Sequence, residues 1–305
     1  MKIVVQAAGA LGLLIAWFLH DKNEVVCVSR KRLVDVVSKD GLEVKFGGEN
    51  RKKMLNIVET ADAVGFNPEL VILACKSFDS DENLNIIKEH WPETKIMTIQ
   101  NGIYTEYRAL ELFRRQQLFP ASVLIGSKFI GISRLEQFFD YGMKVGSLGD
   151  SEFLEKLLNL LRESNIRVEK SDNIMRDKWQ KFMFYCSSAT VNAITATKEL
   201  SYEHTRWIVK SAIEEIAAVG ANLELDFDVN RLAQETFEFC MQFKPDVWNA
   251  SVGVDLRKGK RTEIDYLNGY VVELGRRFNI DVPVNETLFR LVKTLEKTGL
   301  FAKFI

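Results

Sequence analysis

Residues 3–19 read IVVQAAGALGLLIAWFL, a mostly apolar run of 17 with two glycines near its centre. As a single helix it falls short of the roughly 20 residues a membrane span needs. No small-residue cleavage signal follows Leu19, and another apolar stretch opens at Val25. The segment is therefore predicted to be a short strand at 3–5, a turn at Ala7-Ala8-Gly9-Ala10-Leu11-Gly12, a helix, and a second strand at 25–28. Two strands joined through a helix lie parallel, so this start commits the chain to a sheet covered by helices on both faces.

The same alternation continues. Runs at 71–74 and 96–99 read as further strands buried on both faces, separated by amphipathic segments. From about Ser171 the strand signal disappears, and Met175, Trp179, Phe182, Cys186, Ala189 and Ala193 mark one face of a long helix. Further helices are predicted near 202–220, 228–243, 263–278 and 284–298, with Pro245 and Pro283 as breaks. The chain's 305 residues accommodate two domains. The fold class is α/β: an N-terminal Rossmann-type parallel-sheet domain over 1–168, then an all-α C-terminal domain over 169–305. The basic stretch 257–261 (RKGKR) is read as a solvated turn.

Composition removes several function classes. The 41 Lys plus Arg against 42 Asp plus Glu leave a net charge of −1, without the basic excess that a phosphate-tracking surface needs, so no nucleic-acid partner is expected. Cys27, Cys75, Cys186 and Cys240 are too dispersed for a metal site or a disulfide scaffold. They fit a cytoplasmic protein without a metal site; no further apolar run nears spanning length, so no membrane partner is expected, and the chain is expected to act as a monomer or homodimer.

The turn after the first strand carries two of the three glycines of a dinucleotide fingerprint. Gly9 would let a pyrophosphate approach the backbone and Gly12 would let helix and strand pack, while Ala7 occupies the first glycine position. An alanine there is tolerable at negative φ and costly at positive φ. The helix N-terminus would present free N–H groups and partial positive charge to the phosphates. At the end of the second strand stand Ser29 and Arg30, with no carboxylate nearby. A forked cationic donor suits a 2′-phosphate, which favours NADP(H) over NAD. Cys75-Lys76 and Gln100-Asn101-Gly102 follow the third and fourth strands, at the strand ends where open α/β sheets bind ligands. Asn101 could equally cap the next helix. In the helical half, Lys181 lies beside the apolar face of Trp179 and Phe182, where partial desolvation would suit a proton donor. Thr262 and Glu263 are predicted to open a helix whose dipole favours the charged carboxylate.

Taken together and in order, the fingerprint, Cys75-Lys76, Gln100-Asn101-Gly102, Trp179-Gln180-Lys181 and Thr262-Glu263-Ile264-Asp265-Tyr266-Leu267-Asn268-Gly269 resemble the ketopantoate reductase (2-dehydropantoate 2-reductase) family. The resemblance implies NADPH-dependent reduction of a 2-oxo acid, most simply 2-dehydropantoate to pantoate in pantothenate biosynthesis. It implies a cofactor site of Ala7, Ala8, Gly9, Ala10, Leu11, Gly12, Ser29, Arg30, Lys76 and Asn101. It also implies Lys181 as proton donor, Glu263 as partner of the substrate hydroxyl, Ser251 as partner of the carboxylate, and Asn101 near nicotinamide and substrate. Tyr185 and Ala189 stand at substrate positions where well-characterised members carry asparagine. These departures suggest a different branched 2-oxo acid as an alternative substrate, and Ala7 suggests a non-catalytic NADP(H)-binding regulator as another alternative.

Overall fold

The computed structural model describes residues 1–196, 202–242 and 251–299. The chain forms two compact units, Met1–Asp177 and Lys178–Ile305.

The first unit is built on a ten-stranded sheet: β1 (Lys2–Gln6), β2 (Glu24–Val28), β3 (Leu42–Phe46), β4 (Glu49–Lys53), β5 (Asn56–Val58), β6 (Leu70–Leu73), β7 (Lys95–Thr98), β8 (Leu118–Gly131), β9 (Arg134–Val145) and β10 (Val168–Lys170). The order is β4-β3-β9-β8-β7-β6-β1-β2-β5, with β10 beside β9. The predicted strands at 3–5, 25–28, 71–74 and 96–99 are β1, β2, β6 and β7, all parallel to their neighbours. The sheet as a whole is mixed, however, because β3 pairs antiparallel with β4 and β8 with β9. Five helices accompany it: α1 (Ala10–Leu19), α2 (Lys31–Asp40), α3 (Ser80–His90), α4 (Tyr104–Leu112) and α5 (Ser151–Glu163).

Strand β1 explains why its sequence is continuously apolar. Ile3 and Val5 pack in one core with Leu13, Trp17 and Leu157, while Val4 joins a second core with Leu84, Ile87 and Ala109 on the opposite face. Helix α1 buries residues 12–17 and Leu19, so its apolar character serves the core. No helix among the described residues is long and apolar enough to cross a membrane.

Helix α5 begins at a charged cap. Asp150 Oδ1 accepts from the Phe153 N–H (3.0 Å) and Oδ2 from Lys95 Nζ (2.6 Å). The Lys95 ammonium, then the Phe153 amide, hold the Asp150 carboxyl below its ordinary value of 3.8. A depressed folded-state pKa contributes stability above the unfolded-state value and loses it as pH falls through the folded one. Asp150→Ala should therefore cost about 1 kcal/mol at neutral pH, the usual worth of an N-cap, and the deficit should shrink in acid. Thermal unfolding at neutral and acidic pH checks both.

Residues 168–177 remain with the first unit because β10 pairs with β9, the Ser171 N–H donates to Val145 O (2.9 Å), and Asp177 accepts from Lys144 (2.9 Å) and the Ser171 hydroxyl (2.5 Å). The division between units thus falls later than the end of the strand signal.

From Ile174 the chain is helical. α6 (Ile174–Phe184) runs through a π-helical turn, Tyr185–Ala189, into α7 (Thr190–Thr195), followed by α8 (Glu203–Ala221), α9 (Val229–Gln242), α10 (Ser251–Arg257), α11 (Asn268–Phe278) and α12 (Pro283–Thr298). Pro283 starts α12 as its first residue, where a missing N–H costs nothing. Pro245 lies outside the described residues. The helix expected from 263 instead begins at Asn268: Ile264–Tyr266 form a single 3-10 turn, and Leu267 leaves helical geometry (φ −107°, ψ −109°). The dipole argument for Glu263 therefore lapses. The 257–261 stretch straddles the end of α10, and Arg257 is half-buried, so only its later part is a solvated turn.

A buried polar network ties the second unit together. Asn268 Nδ2 donates to Cys186 O (2.7 Å) and to Asn285 Oδ1 (2.9 Å), and Asn285 Nδ2 donates to Ala212 O (3.1 Å) and Glu215 (2.8 Å). These bonds link the π turn, through Cys186 O, to α8, α11 and α12.

Candidate functional site

In the first unit the loops at the carboxyl ends of β1, β2, β6 and β7 lie on four adjacent parallel strands. The chain passes from β1 to β2 on one side, and later fills β6 and β7 on the other, so the crevice beside β1 is the topological switch point. The turns after β1, β2 and β6 are pinned to one another and to the sheet. The Ala8 N–H donates to Val28 O (2.8 Å), Ser29 Oγ donates to Ala8 O (2.8 Å), and the Ala74 N–H donates to Gln6 O (2.9 Å).

The two fingerprint glycines differ in what requires them. A Cβ at Gly12 would stand 2.6 Å from Ala74 Cβ and 3.2 Å from Val5 Cγ1, so packing of helix on strand demands glycine there. A Cβ at Gly9 would meet nothing within 4 Å, which leaves open space at the N-terminus of α1. That helix has no acidic residue in its first turn and no side-chain cap, so its amides and positive end are available to an anion. These features fit a dinucleotide pyrophosphate. Ala10 and Leu11, half-buried in the first turn of α1, complete the loop.

Ala7 adopts φ +53°, the costly conformation for an alanine. Left-handed geometry costs an L-residue about 1–2 kcal/mol, against which glycine loses about 0.4–1 kcal/mol through the unfolded chain. Ala7→Gly should therefore raise the unfolding midpoint modestly without weakening nucleotide binding, as thermal denaturation and calorimetry would record.

Arg30 extends from the end of β2, its side chain 87% exposed, with a loose ion pair to Asp79 at 3.9 Å. Ser29 is buried, its hydroxyl donated to the turn. Lys76 is half-buried at the end of β6, preceding a 3-10 turn at Ser77–Asp79. Asn101 follows β7. Its carbonyl accepts from Ser77 Oγ (3.3 Å), and its amide makes no hydrogen bond among the described residues. Helix α4 has Ile103 at its N-cap without a side-chain bond, so Asn101 does not cap it.

In the second unit, Lys181 is half-buried in the last turn of α6, with Nζ 5.4 Å from the centroid of the Tyr185 ring. An aromatic face at that distance attracts the ammonium. Tyr185 opens the π turn, a geometry that recurs at functional sites. Ala189 closes the turn and is completely buried. Ser251 is the first residue of α10, which packs on α7 and the π turn. Glu263 is only 5% exposed. Its loop is anchored by Thr262, whose N–H and hydroxyl both donate to Glu296 Oε1 at 2.7 Å. Burial pushes the Glu296 carboxyl up, but the Thr262 donors and Lys293 outweigh it and hold the group below the usual range.

All four cysteines are free and buried, and burial pushes the Cys27 and Cys75 thiols up to about 12, out of range for nucleophilic chemistry.

Two family models match this chain. The ketopantoate reductase PanE/ApbA model covers residues 3–150, and the ketopantoate reductase PanE/ApbA C-terminal model covers residues 173–296. The chain belongs to the ketopantoate reductase family. That family is one of oxidoreductases. Among its relatives, the 2-dehydropantoate 2-reductase of Pyrococcus horikoshii is 27% identical, with 98% of this chain and 99% of the relative aligned. The enzyme of the same name from Aquifex aeolicus is 28% identical over 98% of each chain. Among solved structures, a D-mandelate dehydrogenase with NADH and anilino(oxo)acetate superposes with a TM-score of 0.89 at 24% identity, over 98% of this chain and 100% of that one. A PanE/ApbA family ketopantoate reductase from Ralstonia eutropha gives 0.87 at 23%, with 98% and 100% covered. These likenesses establish the fold.

Sequence reasoning passed over Asp79 and its support. Gln6, at the end of β1, donates Nε2 to Asn83 Oδ1 (2.9 Å), and Asn83 Nδ2 donates to Asp79 O (2.8 Å). The signal was present in Gln6 itself, a polar residue ending an otherwise β-branched strand.

Proposed function

We propose that this member of the ketopantoate reductase family reduces a 2-oxo acid with NADPH, and that the acid is 2-dehydropantoate, giving pantoate for pantothenate biosynthesis. It would act in the cytoplasm as a monomer or homodimer. The observation that carries the reading is the uncapped N-terminus of α1 with open space over Gly9, beside an exposed Arg30. In this reading residues 7–12 cradle the pyrophosphate, Arg30 pairs with the 2′-phosphate, and Ser29 braces the turn. Lys76 and Asn101 face the nicotinamide end. When bound, the cofactor supplies a hydride to the carbonyl carbon. Ser251 holds the substrate carboxylate and Glu263 accepts from the substrate hydroxyl. Lys181 holds a proton for the carbonyl oxygen, where a cationic donor stabilises charge that develops only in the transition state.

Tyr185 favours a second substrate of the same class. A ring drawn onto the Lys181 ammonium replaces an amide with an apolar face, which suits a branched 2-oxo acid without the hydroxyl. Comparing kcat/KM for 2-dehydropantoate and for its analogue lacking the hydroxyl decides between them. Preference for 2-dehydropantoate supports the first reading, and preference for the analogue supports the second.

A further inference from the structure

Asp79 shares the rim of the sheet with Arg30, its Oδ2 3.9 Å from Arg30 Nη2 and its side chain 35% exposed. Its main chain is held from below by Asn83, which is held in turn by buried Gln6 at the end of β1. The carboxylate therefore projects from a fixed point on the same support as the nucleotide turn. Resting on the assignment of Arg30 to the 2′-phosphate, we infer that Asp79 is a specificity-determining residue that narrows the preference for NADPH over NADH. A dianionic phosphate drawn to Arg30 comes within a few ångströms of the Asp79 carboxylate. The ribose hydroxyl of NADH carries no charge to repel and can donate to an acid at this rim.

Two unit charges about 5 Å apart in water repel by roughly a factor of four in affinity. The phosphate carries about −1.5 to −2, so after screening the carboxylate should weaken NADPH by about five- to tenfold. The exposed Arg30–Asp79 pair offsets little of this, since such pairs contribute little to stability.

The test is calorimetric titration of the full chain with NADPH and with NADH, for wild type, Asp79→Asn, Asp79→Ser and Arg30→Ala, at low and high salt. Both Asp79 variants should bind NADPH about five- to tenfold more tightly, with NADH affinity unchanged or reduced, and the gain should shrink at high salt. An NADPH-to-NADH affinity ratio that stays constant or falls in both variants overturns the inference. If Arg30→Ala meanwhile weakens NADPH selectively, the 2′-phosphate assignment survives that failure. If Arg30→Ala weakens both nucleotides equally, or wild type binds neither, the underlying assignment falls as well.

Discussion

Lys181→Met is expected to lower turnover on the best 2-oxo acid by about 10²–10⁴-fold, the usual share of general acid catalysis, with NADPH affinity nearly unchanged. Methionine keeps the apolar stem and can pack its thioether on the Tyr185 ring that the lysine now faces, so the end of α6 should retain its packing. What the substitution removes is the ammonium to which the proposal assigns proton donation. Steady-state kinetics with a parallel NADPH titration separates loss of chemistry from loss of binding. Near wild-type turnover in this variant would remove Lys181 from the mechanism and move the search for the donor to Lys76.

Arg30→Ala should weaken NADPH by about 1.5–3 kcal/mol, the worth of a charge-assisted hydrogen bond, and leave NADH almost untouched. Its only ion pair among the described residues is the loose contact with Asp79, so truncation breaks no strong internal bond that could obscure the readout. Calorimetric titration with both nucleotides gives the answer directly. Equal losses would mean that Arg30 acts on the fold rather than on the phosphate.

The parts of the fold that could be read from sequence are those whose pattern has one physical cause. β1, β2, β6 and β7 are buried on both faces and therefore appear as short apolar runs. The long helical stretch from Ile174 to Thr195 shows its buried face at helical spacing. The antiparallel part of the sheet is hidden for definite reasons. β4 is Glu-Asn-Arg-Lys-Lys and largely exposed, while register shifts between Val123 and Ile125, and again near Gly126 and Phe129, break the period of two along β8. The break at Leu267 was illegible because an apolar leucine fits the helical period whatever its backbone angles.

The site divides in the same way. The turn at residues 7–12 and Arg30 are local in sequence and were read as such. The Gln6–Asn83 bond joins residues 77 positions apart, and only the crossover to α3 brings Asp79 to the rim beside Arg30. The strain at Ala7 needed its φ, and the burial of Ala189 needed the packed second unit.

The most direct measurement is product analysis: the full chain incubated with NADPH and a panel of 2-oxo acids that includes 2-dehydropantoate, with the 2-hydroxy acid formed counted against the NADPH oxidised. One 2-hydroxy acid per NADPH, from at least one acid of the panel, is the expected result. Tight NADPH binding with no oxidation by any acid would contradict the reductase assignment and leave a protein that binds the nucleotide without using it.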